Sequence, residues 1–304
     1  MHSRFMLPTF ALAVFFVGAT EFMLSTMLSP LASAFDTTPA HASWLVSSYA
    51  FSYAVAAPIF GYLSDRIDRR RLLLASLILF AIDGFALTIA PSFSIAIGLR
   101  IFGGLASAAL IPTAFALISD IMPTNRQSAA MGAVMVGMTF GIIAGPVIAG
   151  ILTEALDWRV PFLVTAVGCL LTFTVAHRVI PQSTAGRPET KKLRISWVTK
   201  ASIVRFLIAK GLWNGTAVAG FLLAGEVLRQ RHDLSVGIVG AVLFAFGLGL
   251  LLGNLSVGWA VRHFGGDERT LMAALLVLCA AVSAFMISPL PLAGALVCLV
   301  VWGI

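Results

Sequence analysis

Runs of about twenty residues with almost no charge follow one another from end to end of this chain, and a run of that length is what an α-helix needs to cross the hydrocarbon core of a bilayer. They lie at 7–29, 44–63, 72–90, 94–118, 128–153, 161–180, 202–225, 236–261 and 271–288. A tenth opens at Pro291 and meets the chain end at Ile304; at about 1.5 Å per residue it covers roughly 21 Å, short of the ~30 Å core. Only helices and closed barrels satisfy their own backbone in lipid, so runs this long predict an all-α polytopic membrane protein of nine to ten helices. Composition agrees: 59% of the 304 residues are hydrophobic, 11% are charged and the mean hydropathy is +0.99. A soluble enzyme with a single membrane anchor is excluded. The first run follows Arg4 as a signal peptide would, but it is too long for one and contains Glu21.

The net charge of +7 and pI near 9.9 sit in short clusters between apolar runs, not on one face, which argues against nucleic acid. With the N-terminus in the cytoplasm, Arg4, the group Arg66, Arg69, Arg70 and Arg71, then Arg126, Arg178, Arg262 and Arg269 all fall inside. Arg159, Arg229 and Arg231 fall outside, and the positive-inside rule selects this topology. The polar stretch 181–200, with Arg187, Lys191, Lys192, Arg194 and Lys200, is expected to be a flexible cytoplasmic linker, lying against anionic headgroups or simply solvated. It divides a six-helix bundle at 1–180 from 201–304, which holds helices seven to nine and part of a tenth. The expected location is the inner (plasma) membrane, with the bilayer and a small-molecule solute as partners and a monomer as the working unit.

Cys169, Cys279 and Cys298 lie inside apolar runs and read as small hydrophobes. His2, His41, His177, His232 and His263 fall at ends or loops without ligand spacing. No metal site, organic cofactor or enzyme activity is expected, because no nucleophile elbow, zinc helix or phosphate loop stands on a water-facing segment.

The loop after the second run, Gly61-Tyr62-Leu63-Ser64-Asp65-Arg66-Ile67-Asp68-Arg69-Arg70-Arg71, has a counterpart after the eighth, Gly258-Trp259-Ala260-Val261-Arg262-His263. Both follow the second helix of a six-helix half, the pattern of transporters built from repeated halves. The first loop resembles the signature of the major facilitator superfamily, with Asp68 in place of its second glycine. Leu99-Arg100-Ile101-Phe102-Gly103-Gly104 in the fourth run is similar to the family's intramembrane arginine motif. Gly137, Gly141, Gly145-Pro146 and Gly150 in the fifth resemble the motif of its antiporter branch, with Ala149 where a glycine is common. Gly18-Ala19-Thr20-Glu21-Phe22-Met23 resembles the arabinose-efflux and purine-efflux permeases of the twelve-helix drug:proton antiporter group. The resemblance implies a secondary transporter that exports a sugar, nucleoside or drug in exchange for protons, with the proton gradient as its energy source. It also implies twelve helices, so the second half is expected to be cut short. A proton-coupled uptake symporter and a non-transporting remnant stand as alternatives.

Ionisable groups in a membrane span are costly and usually face a cavity or a partner. Glu21 shares a stripe with Gly18, Ser25 and Ser29, and Arg100 shares one with Gly103, Gly104 and Ser107. At ~1.5 Å per residue Glu21 lies about 12 Å deep and Arg100 about 9 Å, so the two can meet in one cavity as a proton site and its counter-charge, or as a static ion pair. Lys210 and Asn214, one turn apart, line the opposite wall, or Lys210 snorkels to the interface. Asp83 is either a second proton site or a helix–helix hydrogen bond. In the first loop Gly61, Asp65, Arg66 and Arg70 are expected to form a charge latch that breaks during alternating access, with Arg69 and Arg71 as topology anchors. Gly137, Gly141 and Gly145 lie on nearly one face and admit a close helix neighbour, and Pro146 permits a bend. By similarity to the family, that neighbour is the glycine-rich eighth helix with Gly240, Gly247, Gly249 and Gly253.

Overall fold

The computed structural model describes residues 3–64, 66–181 and 200–304, and all regular structure among them is helical. Nine helical segments are long and apolar enough to cross a membrane, and Leu292–Gly303 adds a shorter one. Their outward faces carry large apolar side chains such as Phe51, Leu171, Leu255 and Leu276, an arrangement that lipid stabilises and water does not.

Two of the expected spans are broken. The first comprises α1 (Ser3–Phe22) and α2 (Leu24–Ala34). At the join the Ser25 hydroxyl donates to Phe22 O at 2.7 Å and the Thr26 hydroxyl to Met23 O at 2.9 Å, side-chain bonds that bend helices. Pro30 follows inside α2, removing the amide that would reach back to the Thr26 carbonyl. After the short α3 (Pro39–Ala42), α4 (Trp44–Leu63) and α5 (Arg69–Thr88) are continuous. The fourth span splits into α6 (Phe93–Ser107) and α7 (Leu110–Ile121). Pro112 accounts for this break: it has no amide for the Ala108 carbonyl, and its ring crowds that carbonyl.

Then come α8 (Thr124–Ala155), 32 residues with Pro146 inside, and α9 (Val160–Val179). Beyond the undescribed residues 182–199, which include nearly all of the expected linker, lie α10 (Ala201–His232), α11 (Val236–Phe264), α12 (Asp267–Ile287) and α13 (Leu292–Gly303). Gly265 ends α11 at φ +75°, and the Gly266 amide returns to Val261 O at 3.0 Å, a stop that favours glycine because L side chains resist that conformation. Arg231 at the end of α10 donates to the carbonyls of Phe285, Met286 and Ser288 and so caps α12.

Buried apolar side chains of α1 and α4 to α9 form one continuous core around Phe10, Val14, Leu77 and Leu110. A second core, around Phe221, Leu243, Phe285 and Trp302, belongs to α10–α13 and receives Phe22 from α1. The glycine face of α8 packs on α1. A methyl group added at Gly145 would stand 2.7 Å from Ala19 O, while Gly141 and Gly137 meet the carbonyls of Phe15 and Ala11 more closely still. The two helices therefore run parallel in a four-residue register. The eighth span does meet α8 as expected, with Gly240 against Pro146 and Gly247 against Ile143, but on another face than Gly137, Gly141 and Gly145. Gly249 and Gly253 of α11 instead admit α13, at Val300, Gly303 and Ile304.

Candidate functional site

Ser92 caps α6 by accepting from the Ile95 amide at 3.4 Å, and the helix then buries Arg100 between two neighbours. Gly103 and Gly104 make that possible. A methyl at Gly103 would stand 2.6 Å from the carboxyl carbon of Asp83 on α5, and one at Gly104 would strike the Ser52 hydroxyl and lie 2.5 Å from Tyr49 O on α4. Side chains at these positions would hold both helices off, so the adjacent glycines bring α5 and α4 against α6 one turn from the arginine.

Arg100 is 1% exposed. Its Nε donates to the Leu45 carbonyl at 3.2 Å, and its guanidinium carbon lies 4.1 Å from the centroid of the Tyr49 ring, a desolvated cation–π contact on the order of 2 kcal/mol. The Tyr49 and Ser107 hydroxyls are 2.7 Å apart and share a hydrogen bond. Both terminal guanidinium nitrogens are buried without a hydrogen-bond partner among the described residues.

Two carboxyl groups lie in electrostatic range of this cation, Asp83 and Glu21, and neither closes a direct ion pair with it among the described residues. They differ in access. Glu21 is half-buried, in the last turn of α1 before the break, within electrostatic range also of Tyr49 and Tyr53. Asp83 is 1% exposed, and neither of its oxygens has a hydrogen-bond partner. It lines a narrow crevice with Thr20, Phe80, Gly84, Phe162, Thr165 and Cys169, and the Thr20 hydroxyl there is also unpartnered. The structure thus brings Glu21, Arg100 and Asp83 into one cluster. The helix–helix hydrogen bond held open for Asp83 is not formed.

Lys210 and Asn214 stand on an exposed stretch of α10, where a side chain added at Gly211 or Gly215 would meet open space. They do not join the cluster.

At the other end of α5, Asp68 caps the helix by accepting from the Arg71 amide at 2.8 Å. Arg69 donates to Ser64 O at 3.1 Å and Ala116 O at 3.2 Å and pairs with Asp120 of α7. Arg70 reaches the His177 carbonyl at the end of α9, at 2.6 Å. Arg66 stacks on Tyr62, 4.4 Å from the ring centroid, and among the described residues nothing outside its own turn lies within 4 Å of a methyl built on Gly61. Asp65 lies outside the described residues. Among the described residues the cross-helix contacts of this loop are made by Arg69 and by Arg70, the latter as expected, and Arg69 is more than an anchor. Asp120 is missing from the sequence reading because it follows an apolar run with no pattern tying it to an arginine about fifty positions earlier.

Contacts between α1–α9 and α10–α13 gather at the end of the molecule opposite this loop. A methyl at Gly150 would stand 2.7 Å from Val236 O, and one at Gly240 2.6 Å from Pro146 O. Pro146 and Gly150 thus line the α8–α11 seam, while Gly137, Gly141 and Gly145 face α1. Beyond Gly150 the Glu154 carboxylate accepts from the Ser235 hydroxyl at 2.7 Å and from the Gly237 amide, capping the first turn of α11. The Ser29 hydroxyl donates to Glu226 of α10 at 2.7 Å. Sequence reasoning passed over Glu154 and Glu226 because both stand at run ends, where a carboxylate reads as merely solvated.

Comparison with known proteins agrees with this architecture. The chain is similar to the inner membrane transport protein YdhP of Escherichia coli (strain K12), 27% identical over 300 residues, covering 97% of this chain and 76% of that one. It is 26% identical over 254 residues to the chloramphenicol resistance protein of Streptomyces lividans, covering 82% of this chain and 64% of the relative. Its fold matches that of a bacterial homolog of the human lysosomal transporter Spinster, crystallised in an inward-facing and occupied conformation, with a TM-score of 0.77 at 17% identity, covering 99% of this chain and 71% of that one. The family model described as Major Facilitator Superfamily matches residues 10–304, and with its membrane-spanning helices the chain belongs to that superfamily of transporters.

Proposed function

We propose that this chain works as a proton-coupled efflux transporter, exchanging protons for a small organic solute, with Glu21 as the cavity-facing proton site and Arg100 as its fixed counter-charge. The observation that carries the reading is the pair of unpartnered guanidinium nitrogens of buried Arg100 beside the half-buried carboxyl of Glu21. A guanidinium in a membrane interior is stabilised only when its donors are met. The Glu21 carboxylate, water or an acceptor on the solute can meet them in turn, and whichever does so excludes the others. Protonation of Glu21 releases its hold on Arg100, and this couples proton occupancy to solute occupancy.

Exchange, as opposed to co-transport, is supported by Pro146 and Gly150 at the α8–α11 seam, the motif that resembles the antiporter branch, and by the likeness to a resistance protein. The basic clusters favour a cytoplasmic N-terminus, and the name of the E. coli relative favours the inner membrane. In that orientation the Glu154 and Glu226 contacts close the outer side.

The test is proton flux in proteoliposomes under an imposed pH gradient, with chloramphenicol, a pentose and a purine nucleoside as probes. Solute-dependent flux opposite to solute movement is expected in the wild type and its loss in Glu21→Gln. Undiminished exchange in that variant would remove Glu21 from coupling, and flux in the same direction as the solute would replace antiport with symport.

A further inference from the structure

We infer that Asp83 is a second proton-binding carboxyl of the transport cycle, buried within the bundle, and that it alternates with Glu21 as the counter-charge of Arg100. This deepens the proton-coupled reading and rests on it. Three observations converge. Asp83 is buried with both carboxyl oxygens unpartnered, an arrangement too costly to persist as a mere packing detail. Its carboxyl rests on the Gly103 backbone, one helical turn from Arg100, because that position has no side chain to keep it away. The guanidinium it faces also has donors to spare.

Charge balance then sets the chemistry. One arginine and two carboxyl groups are neutral together when one carboxyl holds a proton. A state with the proton on Asp83 and the charge on Glu21 interconverts with one in which Glu21 holds the proton and Asp83 the charge. One O–H bond breaks and another forms, while the net charge of the cluster stays at zero. While the proton sits on Glu21 the ionised Asp83 keeps Arg100 neutralised, and while it sits on Asp83 the ionised Glu21 does so. The Thr20 hydroxyl, adjacent to Glu21 in sequence, lines the same crevice as an unpartnered donor that an ionised Asp83 could recruit.

Around Asp83, α6 contributes Arg100, α1 contributes Glu21, and α9 contributes Cys169. The remaining charged groups on α9, α7 and α5 sit at helix ends: Arg159 just before α9, His177 and Arg178 in its last turn, Asp120 on α7, and Arg69 to Arg71 on α5 itself.

Infrared difference spectra of the purified chain between acid and alkaline pH test the proposal, since a protonated carboxyl without hydrogen bonds has its own C=O band. A band is expected that moves on labelling aspartate with carbon-13, disappears in Asp83→Asn, and persists in Glu21→Gln with its midpoint displaced, because both groups share Arg100. No aspartate-sensitive band in the labelled wild type would overturn the proposal even if Asp83→Asn failed to fold, because Asp83 would then be a fixed counter-ion. A midpoint indifferent to Glu21→Gln would overturn the alternation. Failure of the Glu21 reading appears separately, as undiminished solute-driven flux in Glu21→Gln.

Discussion

Gly145 of α8 rests on the carbonyl of Ala19 of α1, close enough that an added methyl group would stand 2.7 Å from that oxygen. Two residues later α1 presents Glu21, and one residue after Gly145 α8 presents Pro146 to α11. This contact sets the height of the proton-site candidate relative to the seam between the two cores. Without a hydrophobic drive between helices in lipid, such packing supplies much of the association energy.

Gly145→Ala is therefore expected to lower stability by about 1–3 kcal/mol, as overpacking does, and Gly141→Ala by more, because the Phe15 carbonyl is nearer. Gly132→Ala, on the same helix with nothing within 4 Å, is expected to be neutral or to stabilise by up to about 1 kcal/mol through helix propensity. Apparent melting temperatures in detergent order the three; equal losses at all of them would refute the packing account.

Arg69→Ala breaks the pair with Asp120 and removes donors from Ser64 and Ala116. The pair is partly exposed, so the expected cost is about 1 kcal/mol or less. Arg66→Ala, which removes only a stack on Tyr62, is expected to stay within about 0.5 kcal/mol of wild type. Exchanging the charges at 69 and 120 should restore part of the Arg69→Ala loss, and a double-mutant cycle measures that coupling.

At the α8–α11 seam, Glu154→Ala leaves the Ser235 hydroxyl and the Gly237 amide without their acceptor. Loss of this capping acceptor weakens the contact and so raises the population open at this end. Spin labels at Leu156 and Asp233 read it as growth of a longer-distance component, with Glu154→Gln intermediate because its amide oxygen still accepts. An unchanged distance distribution would show that this contact holds nothing closed.

Tyr49 gives Arg100 a ring and Ser107 a hydroxyl partner. Tyr49→Phe keeps the ring and is expected to cost about 1 kcal/mol for the hydrogen bond. Tyr49→Leu also loses the cation–π contact and leaves space, and is expected to cost about 2–4 kcal/mol. Thermal melting compares them, and equal effects would mean that the ring does not support the guanidinium.

Much of the helix count was legible because hydropathy is local. The expected run 44–63 coincides with Trp44–Leu63, and 161–180 lies within a residue of Val160–Val179. Starts were read late where a polar cap precedes the apolar run: α5 begins at Arg69 behind the Asp68 cap, not at 72. Breaks inside runs escaped, since the Ser25 and Thr26 back-bonds and Pro112 leave hydropathy unchanged while redirecting the backbone. Glu21, Arg100 and Asp83 each stood out as charges in apolar surroundings, and depth along the helices paired Glu21 with Arg100, but that Asp83 joins them was not legible.

The sequence by itself determined that this chain lives in a bilayer, about where it crosses, and which ionisable groups are carried inside, because each follows from the cost of placing a given residue in hydrocarbon. Tertiary structure alone decided the partners. Gly137, Gly141 and Gly145 face α1 while Pro146 and Gly150 face α11; Arg69 pairs with Asp120; Gly103 admits Asp83 to the arginine. In lipid every apolar helix face is equally well solvated by its surroundings, so hydropathy cannot rank one neighbour above another. Close packing and the matching of polar groups across helices make that choice, and both exist only once the bundle is assembled.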